Sequence, residues 1–311
     1  MDHPQNIRVI SSEREYRVMS SVVETSPAPG SCFCREFLIF GQNLQIAMKY
    51  RTILLALLLA AACTPFEPFT FVQMSDTQIG FMDPSPAFCH SDSLMMAAVD
   101  KANALEPVCV FITGDLVDNP SDPVQDSIFL VRLAQIEAPV YLLPGNHDYY
   151  GSSPEKREAF IARRGYDRFS FKEKGCAFIG INSNSIKYGT DEMEAEQFEW
   201  LQSELSATKG CKYTFVFLHC PIVCESMDED EAYFNFSLEQ RRRYVDLFRQ
   251  YGVDIVFAGH CHQEFDTASD GIRFITAGPV CNPLGHGYPG YNVVKVGKDG
   301  VEVTYTGTRI E

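Results

Sequence analysis

Five times along the chain, an apolar run of the kind that fills a buried strand stops on a cluster of oxygen or nitrogen donors. Phe71-Val72-Gln73-Met74 leads to Asp76-Thr77-Gln78, and Val108-Cys109-Val110-Phe111-Ile112 leads to Gly114-Asp115-Leu116-Val117-Asp118. Val140-Tyr141-Leu142-Leu143 runs into Pro144-Gly145-Asn146-His147-Asp148, residues 213–218 into His219-Cys220-Pro221, and Ile255-Val256-Phe257 into Gly259-His260-Cys261-His262. Pro144-Gly145 turns the chain sharply and presents an amide oxygen, an imidazole and a carboxylate on consecutive residues. Burying these unpaired would cost several kcal/mol. A polar turn with an incidental histidine accounts for one such cluster; repetition points to a site.

Between the runs lie amphipathic stretches at 92–105, 124–137, 193–207 and 238–251, so strands alternate with helices and an α/β architecture is expected. From Phe265 onward the pattern changes to short runs broken by glycines, at 272–276, 291–296 and 301–305, with Lys298-Asp299-Gly300 as a turn. These read as antiparallel strands. A mixed sheet, or two stacked sheets with outer helices, is the simplest container, and no linker is evident after Phe69. Strands of an α/β sheet bring their carboxyl ends to one edge, where ligands bind. The five donor clusters are therefore expected to converge.

The chain has 311 residues, enough for one large domain or two small ones. Its formal charge of −15 disfavours nucleic-acid binding through a broad basic surface, so no nucleic acid is expected as a stable partner. An anionic substrate stays open, because bound cations can dominate the local field. The densest acidic run, Asp228-Glu229-Asp230-Glu231, reads as a solvated loop.

The first 47 residues lack a period and include Ser26-Pro27-Ala28-Pro29-Gly30. Met48-Lys49-Tyr50-Arg51, the apolar stretch 52–62 and Cys63 then reproduce the regions of a signal peptide. The apolar stretch is too short to span a bilayer comfortably. It resembles a bacterial lipoprotein signal with Cys63 as the lipidated residue, although Ala60 stands where a larger aliphatic residue is usual. The expectation is translation from Met48, an extension at 1–47, a signal segment at 48–63, and a folded domain at 69–311. That makes a lipid-anchored, extracytoplasmic protein of the cell envelope; the alternative is a buried helix at 52–62 in a cytoplasmic protein. Of the eleven cysteines, Cys109, Cys176 and Cys211 lie in or beside apolar runs and read as small core residues. Cys220 and Cys261 flank donors, which raises zinc, but no Cys-x-x-Cys pair or four-ligand zinc spacing occurs. Most of the cysteines are expected to be free thiols.

Collected, the strand ends offer Asp76, Gln78, Asp115, Asn146, His219, His260 and His262. Mixed carboxylate, amide and imidazole donors suit Mn, Fe, Co or Zn better than Ca. Seven donors exceed the needs of one ion with room for substrate, and two ions about 3.5–4 Å apart, bridged by a carboxylate, fit the set better.

In order, Asp-x-Gln, Gly-Asp-x-x-Asp, Gly-Asn-His-Asp, His and Gly-His-x-His resemble the calcineurin-like metallophosphoesterases. The resemblance runs from about Phe71 through Gly259-His260-Cys261-His262, and the later strands fit the family's closing sheet. It implies two packed mixed sheets flanked by helices, a four-layer sandwich, with a dinuclear site of Mn, Fe or Zn at the strand ends. It also implies that Asp76 and His262 bind the first metal, that Asp115 bridges, and that Asn146, His219 and His260 bind the second. His147 then faces the substrate as general acid, oriented by Asp148, while Asp118 is a loop residue and not a ligand. One departure stands out: the family usually has His where this chain has Gln78. A subgroup that includes some protein Ser/Thr phosphatases is similar in carrying Asp-x-Gln. A neutral amide oxygen at the first site loosens metal binding and shifts preference away from zinc.

The expected reaction is hydrolysis of a phosphate ester by in-line attack of a metal-held hydroxide, with His147 protonating the leaving oxygen. Monoester or phosphoprotein substrates are slightly favoured. The alternatives are a phosphodiesterase acting on nucleotides or phospholipid head groups, or a binding lipoprotein that has lost the chemistry, to which only Gln78 lends support. Among other residues, His90 reads as a cap or surface residue and Arg241-Arg242-Arg243 as a solvated helix face. Tyr149-Tyr150 reads as structural, with a site rim that stacks on an aromatic leaving group as the alternative, and Trp200 reads as core. Residues 285–291 read as either a lid or a plain connection.

Overall fold

The computed structural model describes residues 65–149 and 153–308; the extension at 1–47, the signal segment with Cys63, and Tyr150 lie outside them. Two sheets are stacked face to face. The first holds β1 (Phe69–Met74), β2 (Val110–Thr113), β3 (Val140–Leu143), β10 (Gly290–Val296) and β11 (Val301–Gly307), in the order β11-β10-β1-β2-β3. Here β1, β2 and β3 are parallel, and β10 returns antiparallel to both β1 and β11. The second sheet has the order β4-β5-β6-β7-β9-β8. Its members are β4 (Phe169–Glu173), β5 (Cys176–Gly180), β6 (Thr214–Phe217), β7 (Ile255–Ala258), β8 (Phe265–Ser269) and β9 (Ile272–Thr276). Strands β5, β6, β7 and β9 run parallel, and β4 and β8 are antiparallel edges.

The period of two along each strand explains why the runs are apolar throughout: both faces are buried. On β1, Phe69 and Phe71 point between the sheets while Val72 and Met74 point at helices; on β2, Phe111 points inward and Val110 and Ile112 outward. Phe215 and Phe217 of β6 and Phe257 of β7 complete the inner layer, whose tightest pair is Phe111 stacked on Phe217 with centroids 3.9 Å apart. Below the donor clusters this layer turns polar. Gln73 donates to Thr113 Oγ1 at 3.0 Å and to the Ala258 carbonyl at 2.8 Å, and accepts from Asn292 at 2.8 Å, so one satisfied network ties the two sheets.

Helices cover both outer faces, on the first sheet α1 (Cys89–Asn103) and α2 (Pro123–Leu133), and on the second α5 (Asp191–Ser206) and α6 (Leu238–Tyr251). The caps agree with the sequence. Asp122 accepts from Val124 N–H at 2.8 Å ahead of a proline, and Ser237 accepts from Gln240 N–H at 3.3 Å. Helices α3 (Pro154–Arg164) and α4 (Ser183–Lys187) and strand β4 were not among the expected elements. On α3 only Phe160 is buried, so no apolar stripe marks it. The C-terminal strands are not one antiparallel set: β9 joins β7 in parallel, and residues 285–289 cross from one sheet to the other. That segment is a connection between sheets, held where the Tyr305 hydroxyl donates to the Tyr288 carbonyl at 2.9 Å.

Candidate metal centre

Parallel strands deliver their C-terminal ends to one edge, and all five donor clusters meet there. The backbone bends to do so. Asp76 (φ 51°), Gln78 (φ 31°), Asp115 (φ 49°), His260 (φ 69°) and His262 (φ 52°) all occupy the left-handed region. Such non-glycine conformations cost on the order of 1 kcal/mol or more each and persist where their surroundings over-determine them. Two glycines are required by close approach: a Cβ on Gly259 would lie 1.7 Å from Ser75 Oγ, and one on Gly145 would lie 2.1 Å from Asp115 Oδ1.

Each candidate histidine ligand has one ring nitrogen tied to a backbone carbonyl. His219 Nδ1 lies 2.8 Å from Thr113 O, His260 Nε2 lies 3.2 Å from Tyr233 O, and His262 Nδ1 lies 2.9 Å from Asn282 O. That fixes the tautomers and aims the other nitrogen, with its lone pair, into the site. His219 Nε2 accordingly faces Asp115 Oδ2 at 3.3 Å and Asn146 Oδ1 at 3.1 Å. Donor atoms of Asp115, His219 and His260 all lie within 4.8 Å of one another. A second group adjoins the first: His262 Nε2 is 3.4 Å from Asp76 Oδ1, a fully buried oxygen without a hydrogen-bond partner. Asp76 Oδ2 accepts from His260 N–H at 3.0 Å, and Asp115 Oδ1 accepts from His147 N–H at 2.7 Å. Acceptors crowded onto one another, one of them an orphaned buried carboxylate oxygen, are the arrangement a divalent cation satisfies.

The carboxylates and imidazoles of the cluster set one another's charge. Burial pushes the Asp115 carboxyl up, but His219 overcomes it and holds the group below the usual carboxylate range. Burial likewise works against Asp76, and His262 then His219 pull it down strongly. His219 rises to about 9: burial opposes the charge, and Asp115 outweighs burial. His260, buried beside His219, falls to about 4, so it is a neutral donor at neutral pH.

One residue departs from the sequence-based assignment. Asp148 does not orient His147. Its carboxylate accepts from Gly145 N–H at 2.8 Å and from Leu116 N–H at 3.2 Å, which clamps the two loops together. Burial, then the Asp115 charge, raises it to about 7. The imidazole is held instead by Asp118, with Nδ1 3.1 Å from Oδ1 and 3.2 Å from the Asp118 carbonyl. That hydrogen bond lifts His147 to about 9 against partial burial, with Asp115 adding to it. The Gln78 amide is fully buried; its nitrogen faces Asp118 Oδ1 at 3.5 Å and its oxygen faces the Cys281 thiol at 3.8 Å.

The surroundings bring further corrections. Tyr149 is largely buried, its hydroxyl engaged by Asn182, and it also lines the cavity beside His147. The rim aromatic is Tyr233, whose hydroxyl accepts from Asn146 Nδ2 at 3.1 Å, and Phe81 lies against His262 with centroids 4.8 Å apart. Neither residue belongs to a motif, so sequence gave no signal for them. Arg241 is not solvated: it is fully buried and donates to the carbonyls of Ile222, Met227, Glu229 and Phe236. Glu229, in the acidic run, accepts from the N–H groups of Cys224, Glu225 and Ser226. His90 reaches Asn282 Oδ1 at 3.0 Å at the surface, and Trp200 is half-buried beneath the Arg168 guanidinium. Cys220 and Cys261 turn their sulfurs to the Phe234 carbonyl, and the cysteines among the described residues are free thiols.

Stacked mixed sheets between helices, with a histidine and carboxylate cluster at the strand ends, define a metal-dependent phosphoesterase. Residues 69–264 match the family model described as calcineurin-like phosphoesterase, and the chain belongs to that family. It is 30% identical over 253 residues to serine/threonine-protein phosphatase CPPED1 of Rattus norvegicus, covering 74% of this chain and 80% of that protein. The Homo sapiens protein of the same name is also 30% identical, with the same coverage. A dimetal phosphatase of Danio rerio has the same fold: TM-score 0.62 at 17% identity, covering 78% of this chain and 98% of that one.

Proposed function

We propose that this chain is a dinuclear phosphomonoesterase that acts on phosphoserine- or phosphothreonine-type esters. The observation that carries this reading is the paired donor set. His219 and His260 with Asp115 and Asn146 form one group, Asp76 with His262 forms the other, and every histidine is pre-aimed by a backbone carbonyl. Asp115 and Asp76 stand where the groups meet, which suits a bridging carboxylate. Bound there, Mn, Fe or Zn would offset the charge of the phosphoryl oxygens and acidify a water.

The rest of the chemistry belongs to the chain's own groups. His147, protonated at neutral pH, donates from Nε2 to the leaving oxygen while Asp118 holds Nδ1. Asp148 keeps the Gly145 turn closed against Leu116, which fixes where that proton is delivered. Tyr233 holds the Asn146 amide through its hydroxyl and the His260 ring through its carbonyl. Gln78 stands where the resemblance leads one to expect histidine, and its amide nitrogen braces Asp118 Oδ1 at 3.5 Å.

The lipid anchor at Cys63 and an envelope location are part of the proposal on the sequence pattern alone. Mass spectrometry of the native N-terminus tests them, and an intact Met1 peptide would rule them out. For the reaction, the metal-reconstituted protein is assayed on a phosphoserine peptide, p-nitrophenyl phosphate and its bis-ester. The expected order is monoesters over diester by tenfold or more, and the reverse order would overturn the reading.

A further inference from the structure

Beside His147 opens a cavity of about 820 Å³, far larger than a phosphate needs and within the usual range for substrate pockets. His147 and Asn146 lie at its inner end, and one wall is α3. From that helix the lining takes Lys156, Ala159, Ala162 and Arg163. Residues 156, 159 and 163 share one helix face, with the cations about 10 Å apart along the axis and alanine between them.

The other two arginines of α3 outside this face are turned elsewhere. Arg157 pairs with Asp167 at 2.6 Å and with Glu196 at 3.0 Å, and Arg164 pairs with Asp126. Arg163 reaches the opposite wall, where Nη1 donates to the Pro120 carbonyl at 2.7 Å. One of its five donors is thereby fixed and the fork is held in place. The carboxylates in the lining are already engaged: Asp118 with His147, and Asp148 with Gly145 and Leu116 N–H. A chain of charge −15 thus places Arg163 and Lys156 in the lining of the cavity that also takes in His147.

We propose that this cavity takes the leaving group, and that Arg163 and Lys156 select substrates whose leaving group carries a second anionic group, a carboxylate or a phosphate. The inference rests on the phosphomonoesterase reading, because it uses His147 to say on which side the leaving group lies. A guanidinium fixed at one nitrogen offers its remaining N–H groups to an oxyanion at little cost in ordering. A second anion in this cavity fits an acidic residue a few positions from a phosphoserine or a second phosphate on a small metabolite.

The test uses the full metal-reconstituted chain and kcat/KM ratios. One arm compares phosphoserine peptides with Glu, Ala or Lys in the three positions after the phosphoserine; the other compares a sugar bisphosphate with its monophosphate. A preference of about tenfold for the anionic member is expected in at least one arm, and the arm that shows it identifies the source. Arg163→Ala with Lys156→Ala should abolish the preference, and Arg163→Glu should reverse it toward the Lys peptide. A wild type that hydrolyses p-nitrophenyl phosphate but shows no preference in either arm overturns this proposal alone. A wild type inactive on every ester overturns the phosphomonoesterase reading beneath it.

Discussion

His147 illustrates how one hydrogen bond assigns a role. Its Nδ1 meets both the carboxylate and the carbonyl of Asp118, so the ring is fixed in rotation and charged at neutral pH. In the proposed role of general acid, such a group supplies about 10²–10⁴-fold in rate, and more for poor leaving groups. His147→Ala should therefore lower kcat on a phosphoserine peptide by about 10²–10⁴-fold and on p-nitrophenyl phosphate by much less, with metal content retained. Asp118→Ala removes the carboxylate but keeps the carbonyl contact, and a loss of about tenfold with the same leaving-group dependence is expected. Equal losses on both substrates would assign these residues to binding instead. Asp115→Asn is different in kind: it deletes a charge from the metal-holding group, so metal analysis of the purified variant should find less than half the wild-type content.

At the scale of elements, two loops give the centre its rigidity. The segment 222–236 is wrapped around the Arg241 side chain of α6, which donates to four of its carbonyls and places Tyr233 O against His260. Removing one partner from a buried charged network costs about 3–5 kcal/mol. Arg241→Met should lower stability by about that much in denaturant titration and weaken metal retention, whereas Arg242→Met, on an exposed neighbour, should do neither. The loop carrying Phe81 is fastened to α1 by Asp83. This carboxylate accepts from Ser85 N–H at 2.9 Å and from Ser91 N–H and Oγ at 2.7 Å each. Burial would raise Asp83, but these bonds hold it at about 2. Because the folded value lies below the unfolded value of about 3.9, the group stabilises the fold above pH 4. That contribution is lost as pH falls toward 2. Asp83→Asn should lower Tm by about 2–4 °C at pH 7, the effect of about 1 kcal/mol in a domain of this size. The difference from wild type should shrink below pH 4, and a gap that is constant with pH would argue against the ionised carboxylate as its source.

At the scale of the whole molecule, the donors come from both sheets. Asp76, Asp115 and Asn146 follow strands of the first, and His219, His260 and His262 follow strands of the second. Cations held between them would cross-link the layers that the phenylalanine core holds together. A ligand at a thousand times its Kd stabilises the native state by about 4 kcal/mol. Chelation should therefore lower Tm as well as abolish activity, and added Mn should restore both. Activity lost to chelation with an unchanged Tm would mean that the sheets do not depend on the metal.

The amino-acid sequence by itself determined the five strands that carry the donor clusters and where they end. Runs such as 108–112 and 255–257 are apolar on both faces, and each stops at a donor because a fully buried strand can shed polar groups only at its ends. The amphipathic stretch 238–251 likewise matches α6, which in the structure begins after a serine cap and ends on a left-handed glycine. Helix α3 carried too little apolar surface to be read, and it proved to line the cavity. The partners of polar side chains were settled only by the tertiary structure. Asp118 and Asp148 stand near His147 in loops of similar polarity, and sequence adjacency favoured Asp148. The fold instead turns that carboxylate inward onto two backbone N–H groups and leaves Asp118 facing the ring. Local pattern fixes which groups are buried, because burial follows hydrophobic period; which buried groups meet depends on how loops from different strands pack, and that is a property of the assembled sheets.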